Sequence, residues 1–491
     1  MNLKIRIIPI FLVLTLSQAL SQNFQEEEKL HSPNRFPGPG YGSSVAISGT
    51  TAMVGSPYED VEGAVFVYEK IGSEWIEQQK IVDPDVASTS DNFGAALAMS
   101  GNYAVVGAPF EDGGLLGAVY ILERNNSGIW EITQKIDNPG FIDDGSISFG
   151  MSVDIDGDYL IVGSMFSAHI YERLGSGDWM LANSYRPDED ELTAIGYGWS
   201  VGLAGNQAMV AAYTEEPGGA IYVLERTSDS NWTFRQKVVN SVGNSSGMGW
   251  KLAMDDQYAV ATASTGVLDD CKGAVFMEKG GDGSWQITQH MNGCDIEQGV
   301  GGSFGNAGLA VDGNTVLIGS DANPADGLIG LVYVIRKSNG NIWEIEQEIT
   351  ESSLGAADAI GTSIGLDGQY AIIGTPSAGE IINGLQLYGV AYIYTIDVST
   401  ADLIHSPIYT EINLSPNPAV DQLFVSFSLA QPELVHLYLI DISGRLIRRI
   451  SRFLPAEDHV LPVNIQGIDS GVYILNARGV GWTSVKKIVI E

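Results

Sequence analysis

A bulky residue followed by glycine recurs seven times along this chain. The pairs are Tyr41-Gly42, Phe93-Gly94, Phe149-Gly150, Tyr197-Gly198, Met248-Gly249, Phe304-Gly305 and Ile360-Gly361. Their glycines stand 52, 56, 48, 51, 56 and 56 residues apart. A period of this length means a run of like units, each of which needs neighbours to bury its faces. Seven residues after most of these glycines comes a turn, at Gly49, Gly101, Gly157, Gly205, Asp256 and Gly368, with Gly313 eight away. Gly, Asn and Asp tolerate positive φ, so these turns predict hairpins.

Each turn leads into a buried-strand pattern such as AMVGSP (52–57), AVVGAP (104–109) or AIIGTP (371–376). After a variable loop comes a third strand, GAVFVYEK (63–70), GAVYILER (117–124) or GAIYVLER (219–226). A fourth strand opens with Trp75, Trp130, Trp179, Trp232, Trp285 or Trp343. An amide follows four residues later, at Gln79, Gln134, Asn183, Gln236, Gln289 and Gln347. Period two puts Trp and amide on one face of a strand. Each unit is thus a four-stranded antiparallel sheet. Stacking such sheets around an axis predicts an all-β chain with a seven-bladed β-propeller over residues 22–396. The alternation and the turn density exclude a helical solenoid.

The seventh unit ends at its third strand, VAYIYTI (390–396). Near the N-terminus, FQEEEKLHSP (24–33) lines up with Trp75–Pro84 in its aromatic, Glu, Lys, aliphatic and Pro residues. The mature N-terminus is therefore expected to supply the missing strand of blade seven and to cover an open edge.

These units resemble the FG-GAP repeat of integrin α-subunit propellers and bacterial surface proteins, with Phe93-Gly94 and Val106-Gly107-Ala108-Pro109 carrying the likeness. The resemblance implies a propeller whose ligand face is the loop end. In integrins, calcium sits in an expanded Asp-rich loop between strands one and two. Asp154, Asp156 and Asp158 imitate that spacing, but here the connection is a tight turn, which speaks against family-type calcium sites. The acidic loops leave room for weak Ca2+ binding, and the metal ligands stay unknown.

Residues 1–21 read as a secretory signal peptide. Lys4 and Arg6 precede the apolar run Ile7–Leu16, and Ala19-Leu20-Ser21 offers a cleavage site. That run is too short to cross roughly 30 Å of hydrocarbon. At the other end, after a linker at 397–411, residues 412–491 predict a small Ig-like β-sandwich. Pro416-Asn417-Pro418, the turn residues Asp441, Gly444 and Arg445, the strand residues Gly471 and Tyr473, and the basic pair Lys486-Lys487 resemble the type IX secretion sorting domain of Bacteroidetes. That resemblance implies the outer-membrane type IX machinery as a partner and a secreted or cell-surface location.

The formal net charge is −35, from 60 acidic and 25 basic side chains. Such a chain is repelled by phosphates, which excludes nucleic acid as a partner. Residues 412–491 hold 7 acids and 7 bases, so the imbalance belongs to the propeller. Loops after strands two and four open on one end. They carry Glu59, Asp60, Glu111, Asp112, Glu215, Glu216, Asp269 and Asp270, the candidate binding residues. The same acids could equally serve only to keep an exported protein soluble. Cys271 and Cys294 flank the turn of a predicted hairpin, where export makes a disulfide reasonable and two unpaired thiols the alternative.

Catalytic spacing is missing. Gly243-Asn-Ser245-Ser-Gly247 matches a nucleophile elbow but falls in a linker rather than between a strand and a helix. Six scattered histidines form no metal motif. No residue is nominated as catalytic. The sequence thus points to a secreted or surface binding and adhesion module with an unknown protein or glycan ligand. The alternatives are an extracellular hydrolase acting on polysaccharide at the channel and a non-catalytic scaffold.

Overall fold

The computed structural model describes residues 23–31, 40–60, 62–84, 91–111, 116–139, 147–186, 196–215, 218–227, 231–240, 247–264, 272–293, 296, 304–320, 330–338, 341–351, 360–382, 385–396, 412–420, 422–429, 433–441, 446–479 and 482–490. The chain is all-β and divides into two compact units, the second built on Ser399–Glu491.

The first unit holds seven four-stranded antiparallel sheets among the described residues. Sheet one comprises Ser44–Ser48, Thr51–Ser56, Ala64–Ile71 and Glu74–Val82, hydrogen-bonded in chain order. Sheets two to six repeat this order, beginning at Ala96, Ser152, Tyr197, Leu252 and Phe304. Sheet seven has Ser363–Asp367, Tyr370–Ile382 and Leu385–Ile396, and its fourth strand is Phe24–His31. Phe24 pairs with Ile396 and His31 with Val390.

Local chemistry explains the unit. In sheet one, Ser48 faces Thr51 across the hairpin, and Gly49 turns at φ 55. In the Phe93-Gly94 pair, Gly94 sits at φ 92, and a Cβ there would lie 2.7 Å from the Ala64 carbonyl oxygen. Only glycine lets one sheet approach the next this closely. Its bulky neighbour Phe93 is fully buried and meets Tyr120 edge-on at 5.2 Å.

The cores lie between successive sheets. One cluster joins Met53 and Val67 of sheet one to Val106 and Tyr120 of sheet two. Another joins Val45 and Phe66 of sheet one to Ile372 and Ile393 of sheet seven, with Leu30 of the N-terminal strand. The tryptophans point into these seams. Trp179 meets Tyr103 of the preceding sheet, Trp232 meets Tyr159, Trp343 meets Tyr258, and Trp75 meets Tyr370 of sheet seven. The ring centroids are 5.2–6.0 Å apart and near perpendicular, a favourable edge-to-face arrangement. Basic residues from third-strand ends lie over these rings. Lys70 covers Trp75 and Tyr370, Arg226 covers Tyr159, and Lys337 covers Tyr258 and Trp343.

Two sets of hydrogen bonds stitch sheet to sheet. Gln79 accepts from the Trp130 amide at 3.0 Å and donates to the Trp130 carbonyl at 2.7 Å. Gln134 does the same for Trp179, Gln236 for Trp285 and Gln289 for Trp343. Gln347 makes both bonds to Phe24, so this residue stands where a tryptophan would. A β-bulge just before the amide recurs in the fourth strand, as between Glu77 and Gln79 opposite Val67–Tyr68. The extra residue bends the strand and re-aims the side chains beyond it. Along the first strands, carboxylates hold the next hairpin. Asp156 accepts from Gly205 N, Asp255 from Gly313 N, Asp312 from Gly368 N and Asp367 from Gly49 N, at 2.6–2.7 Å.

The second unit has two antiparallel sheets. Asn413–Ser415, Gln422–Ser428 and Asp458–Asn464 form one. Leu446–Leu454, Glu433–Asp441, Gly471–Gly479 and Trp482–Ile490 form the other. Residues from both, including Leu423, Val425, Leu437, Leu475 and Ile488, share one core. Among the described residues no helix is long and apolar enough to cross a membrane.

Candidate functional site

In sheets one, two and four, an acid stands three residues after the end of the second strand. Glu59, Glu111 and Glu215 are those acids, and all three are buried, at 1%, 3% and 8% exposure. Each meets a lysine from the fourth strand of its own sheet. Lys80 reaches Glu59 at 3.0 Å, Lys135 reaches Glu111 at 2.6 Å, and Lys237 pairs with Glu215. The lysine ammonium also lies over an aromatic ring of the third strand, Phe66, Tyr120 or Tyr222. Burial of an acid requires such a partner, because an isolated carboxylate loses its hydration without compensation.

Asp60 differs from its neighbour Glu59. Its side chain is 58% exposed, and Lys80 holds it at 2.6 Å. Asp112, Glu216, Asp269 and Asp270 lie outside the described residues, as do Cys271 and Cys294. Of the eight candidate acids, the structure thus describes three that are buried, each paired with a lysine of its own sheet, and one exposed aspartate.

Sheet three has no acid in this place and fills it with neutral groups. Ser164 Oγ lies 2.7 Å from Ser167 Oγ, Ser167 Oγ 2.9 Å from His169 Nε2, and His169 Nδ1 2.9 Å from Ser184 Oγ. His169 is fully buried, so this chain of hydroxyls and imidazole is closed to a substrate. Nothing in the sequence marked it, since two loop serines and a histidine and serine on paired strands form no motif.

The densest cluster joins sheets one and two. Asp83, Asp91 and Glu111 are buried, with one carboxylate oxygen of each within 4.8 Å of the others. Tyr120 Oη lies 2.9 Å from both Asp83 Oδ1 and Glu111 Oε1. A phenol has one proton, so it donates to one of them at a time. Desolvation raises the Glu111 carboxyl above the ordinary range; Lys135 and Tyr120 pull it back, and the Asp83 charge adds to the rise. These oxygens form the kind of hard donor set that suits a divalent cation such as calcium. The integrin-like trio does not fit one. Asp154 accepts from Leu203 N at 2.8 Å and from Ile155 N, Asp156 from Gly205 N, and Asp158 pairs with Arg173. Their carboxylates are engaged in joining strands and sheets.

In the second unit, Asn417 ties the opening segment to the last strand. It donates to the Lys487 carbonyl at 2.9 Å and accepts from Val489 N at 2.9 Å. Ala419 N adds a bond to the Val489 carbonyl. The flanking Pro416 and Pro418 follow cis peptide bonds. Gly471 and Tyr473 pair with Ile490 and Ile488 of that same strand, and Tyr473 Oη donates to the Asp469 carbonyl at 2.7 Å. Asp441 pairs with Tyr473 across strands. Lys486 and Lys487 lie on the same final strand, and Lys487 is exposed. Gly444 and Arg445 lie outside the described residues.

Residues 24–68 and 75–122 match the FG-GAP repeat model, and residues 413–491 match the secretion system C-terminal sorting domain. No curated protein matches the chain. A similar solved structure, described as a candidate 6-phosphogluconolactonase from Bacteroides uniformis ATCC 8492, shares 11% identity at a TM-score of 0.44, over 63% of this chain and 85% of that one. The first repeated sheets and the tied C-terminal strands thus carry family signatures, and the chain contains FG-GAP repeats within residues 24–122 and a type IX secretion sorting domain over residues 413–491.

Proposed function

We propose that residues 22–396 form a seven-bladed propeller, closed by its N-terminal strand, whose loop end binds an extracellular ligand as an adhesion module. The sorting domain sends the chain to the cell surface or the extracellular space. One observation carries the propeller reading. Sheet-to-sheet bonds continue from sheet seven to sheet one, through Asp367 to Gly49, just as they run between earlier sheets. A ring of sheets gathers its loops at two ends on a rigid frame, the usual setting for recognition. In the same reading residues 1–21 are removed as a signal peptide, and residues 412–491 form a small Ig-like sandwich that engages the type IX machinery.

The test is a glycan and matrix-protein array probed with the exported protein, with and without calcium. Saturable retention without turnover is the expected result. Turnover of a retained polysaccharide would replace the adhesin with a hydrolase. Silence across the array would leave a scaffold.

A further inference from the structure

In five of the sheets, the turn at the start of the first strand presents one residue at the same place. Ser43 N bonds the Gly40 carbonyl, Ala95 N that of Asn92, Met151 N that of Ser148, Trp199 N that of Gly196 and Trp250 N that of Gly247. All five residues are half-buried, whatever their size. The fold therefore accepts Ser or Ala here, and packing does not require the two tryptophans.

Those two tryptophans belong to neighbouring sheets and touch. Their rings are 4.7 Å apart at 33°. Tyr213 closes the third side, 5.1 Å from each. Strand register aligns Tyr213 with Pro57, Pro109 and Met165 of sheets one to three. Its ring is seated on Gly196, where a Cβ would lie 2.4 Å from it. A glycine and three rings thus build one half-exposed aromatic platform at the loop end. Polar residues adjoin its rings in sequence. Ser200 Oγ accepts from Leu252 N at 3.0 Å and keeps its proton to donate. Thr214 Oγ1 is buried without a hydrogen-bond partner.

We propose that Trp199, Tyr213 and Trp250 form a stacking site for a neutral saccharide; this rests on the binding-module reading above. Sugar rings offer an apolar C–H face to an aromatic plane and hydroxyls to a polar rim. Three half-buried rings expose far less than the roughly 800 Å² per partner of a stable protein interface. The net charge of −35 disfavours an anionic ligand.

The full-length protein is titrated by calorimetry and tryptophan emission with cellohexaose and mannohexaose, and with hexagalacturonate as the anionic counterpart. A neutral hexasaccharide should bind saturably and shift the emission, and hexagalacturonate should not. Trp199→Ser and Trp250→Ala copy residues that other repeats hold at this place. Each should weaken binding about tenfold with an unchanged melting curve. Trp250→Phe should recover part of the loss. No binding of either neutral sugar, equal binding of hexagalacturonate, or unaltered affinity in the variants overturns the site. If array ligands are still retained in those cases, the module reading stands and only this site falls. If nothing is retained, both fall.

Discussion

At the scale of single residues, the acids after second strands serve the fold before they can serve a ligand. Glu59, Glu111 and Glu215 look like exposed loop carboxylates in the sequence, because the loop is polar and Gly-rich. Their partners lie on the fourth strand, 21 to 24 residues on. The signal was present within the repeats themselves. Lysine follows the amide in Gln79-Lys80, Gln134-Lys135 and Gln236-Lys237, the units that carry the acid, whereas His290 and Glu348 stand there in units that do not. Lys135→Ala would remove the ammonium from the buried Glu111, which lies beside the buried Asp83 and Asp91. We expect a loss of about 3–5 kcal/mol in urea unfolding, the cost of an unpaired buried charge. A second residue links structure to pH. Burial raises the Asp154 carboxyl to about 7, against the amides of Leu203 and Ile155 that favour its ionised form. The folded protein thus holds this proton to near neutrality, and the unfolded chain releases it near pH 4. Stability from Asp154 is present at low pH and is lost as pH rises through about 7. Asp154→Asn should flatten the fall in melting temperature between pH 5 and 8, at about 1 kcal/mol of stability for the backbone amide it no longer satisfies. An equal slope in variant and wild type would refute the assignment.

At the scale of elements, strand order and turn places were legible because they depend on local chemistry. Glycine at a hairpin, period-two burial and an opening tryptophan all act within one unit. The amide four residues after each tryptophan was visible as a regularity, but its role was not, since its partner is backbone of the next unit. Phe24 shows how far that regularity reaches. It sits 323 residues from Gln347 yet receives the same pair of hydrogen bonds as a tryptophan. Deleting residues 23–31 removes those bonds and exposes the edge of Leu385–Ile396, together with the face that Leu30 covers. Thermal stability should fall sharply and the protein should self-associate. Scanning calorimetry with light scattering checks both, and an unchanged melting curve would show that the strand is dispensable.

At the scale of the whole molecule, the negative charge divides the chain by task. The acidic side chains concentrate in the repeated sheets, where many are tied to lysines and backbone amides, and the C-terminal unit is neutral. Composition could locate this division but not sort bound acids from free ones, because pairing depends on strand register. The sorting unit has its own core and its own tie between ends, so its effect should be separable from that of the sheets. Deleting residues 412–491 should leave the repeated sheets folded and keep the protein inside the outer membrane of a host with type IX machinery. Asn417→Ala is the finer probe. It removes one donated and one accepted hydrogen bond on the final strand, which should loosen the Lys486–Val489 segment by about 1–3 kcal/mol. Surface labelling and fractionation should then show reduced export of the variant and none of the deletion. Full surface display of the deleted chain would mean that the machinery reads the repeated sheets instead. Full display of Asn417→Ala alone would mean that it reads the terminal strand without needing the opening segment fastened to it.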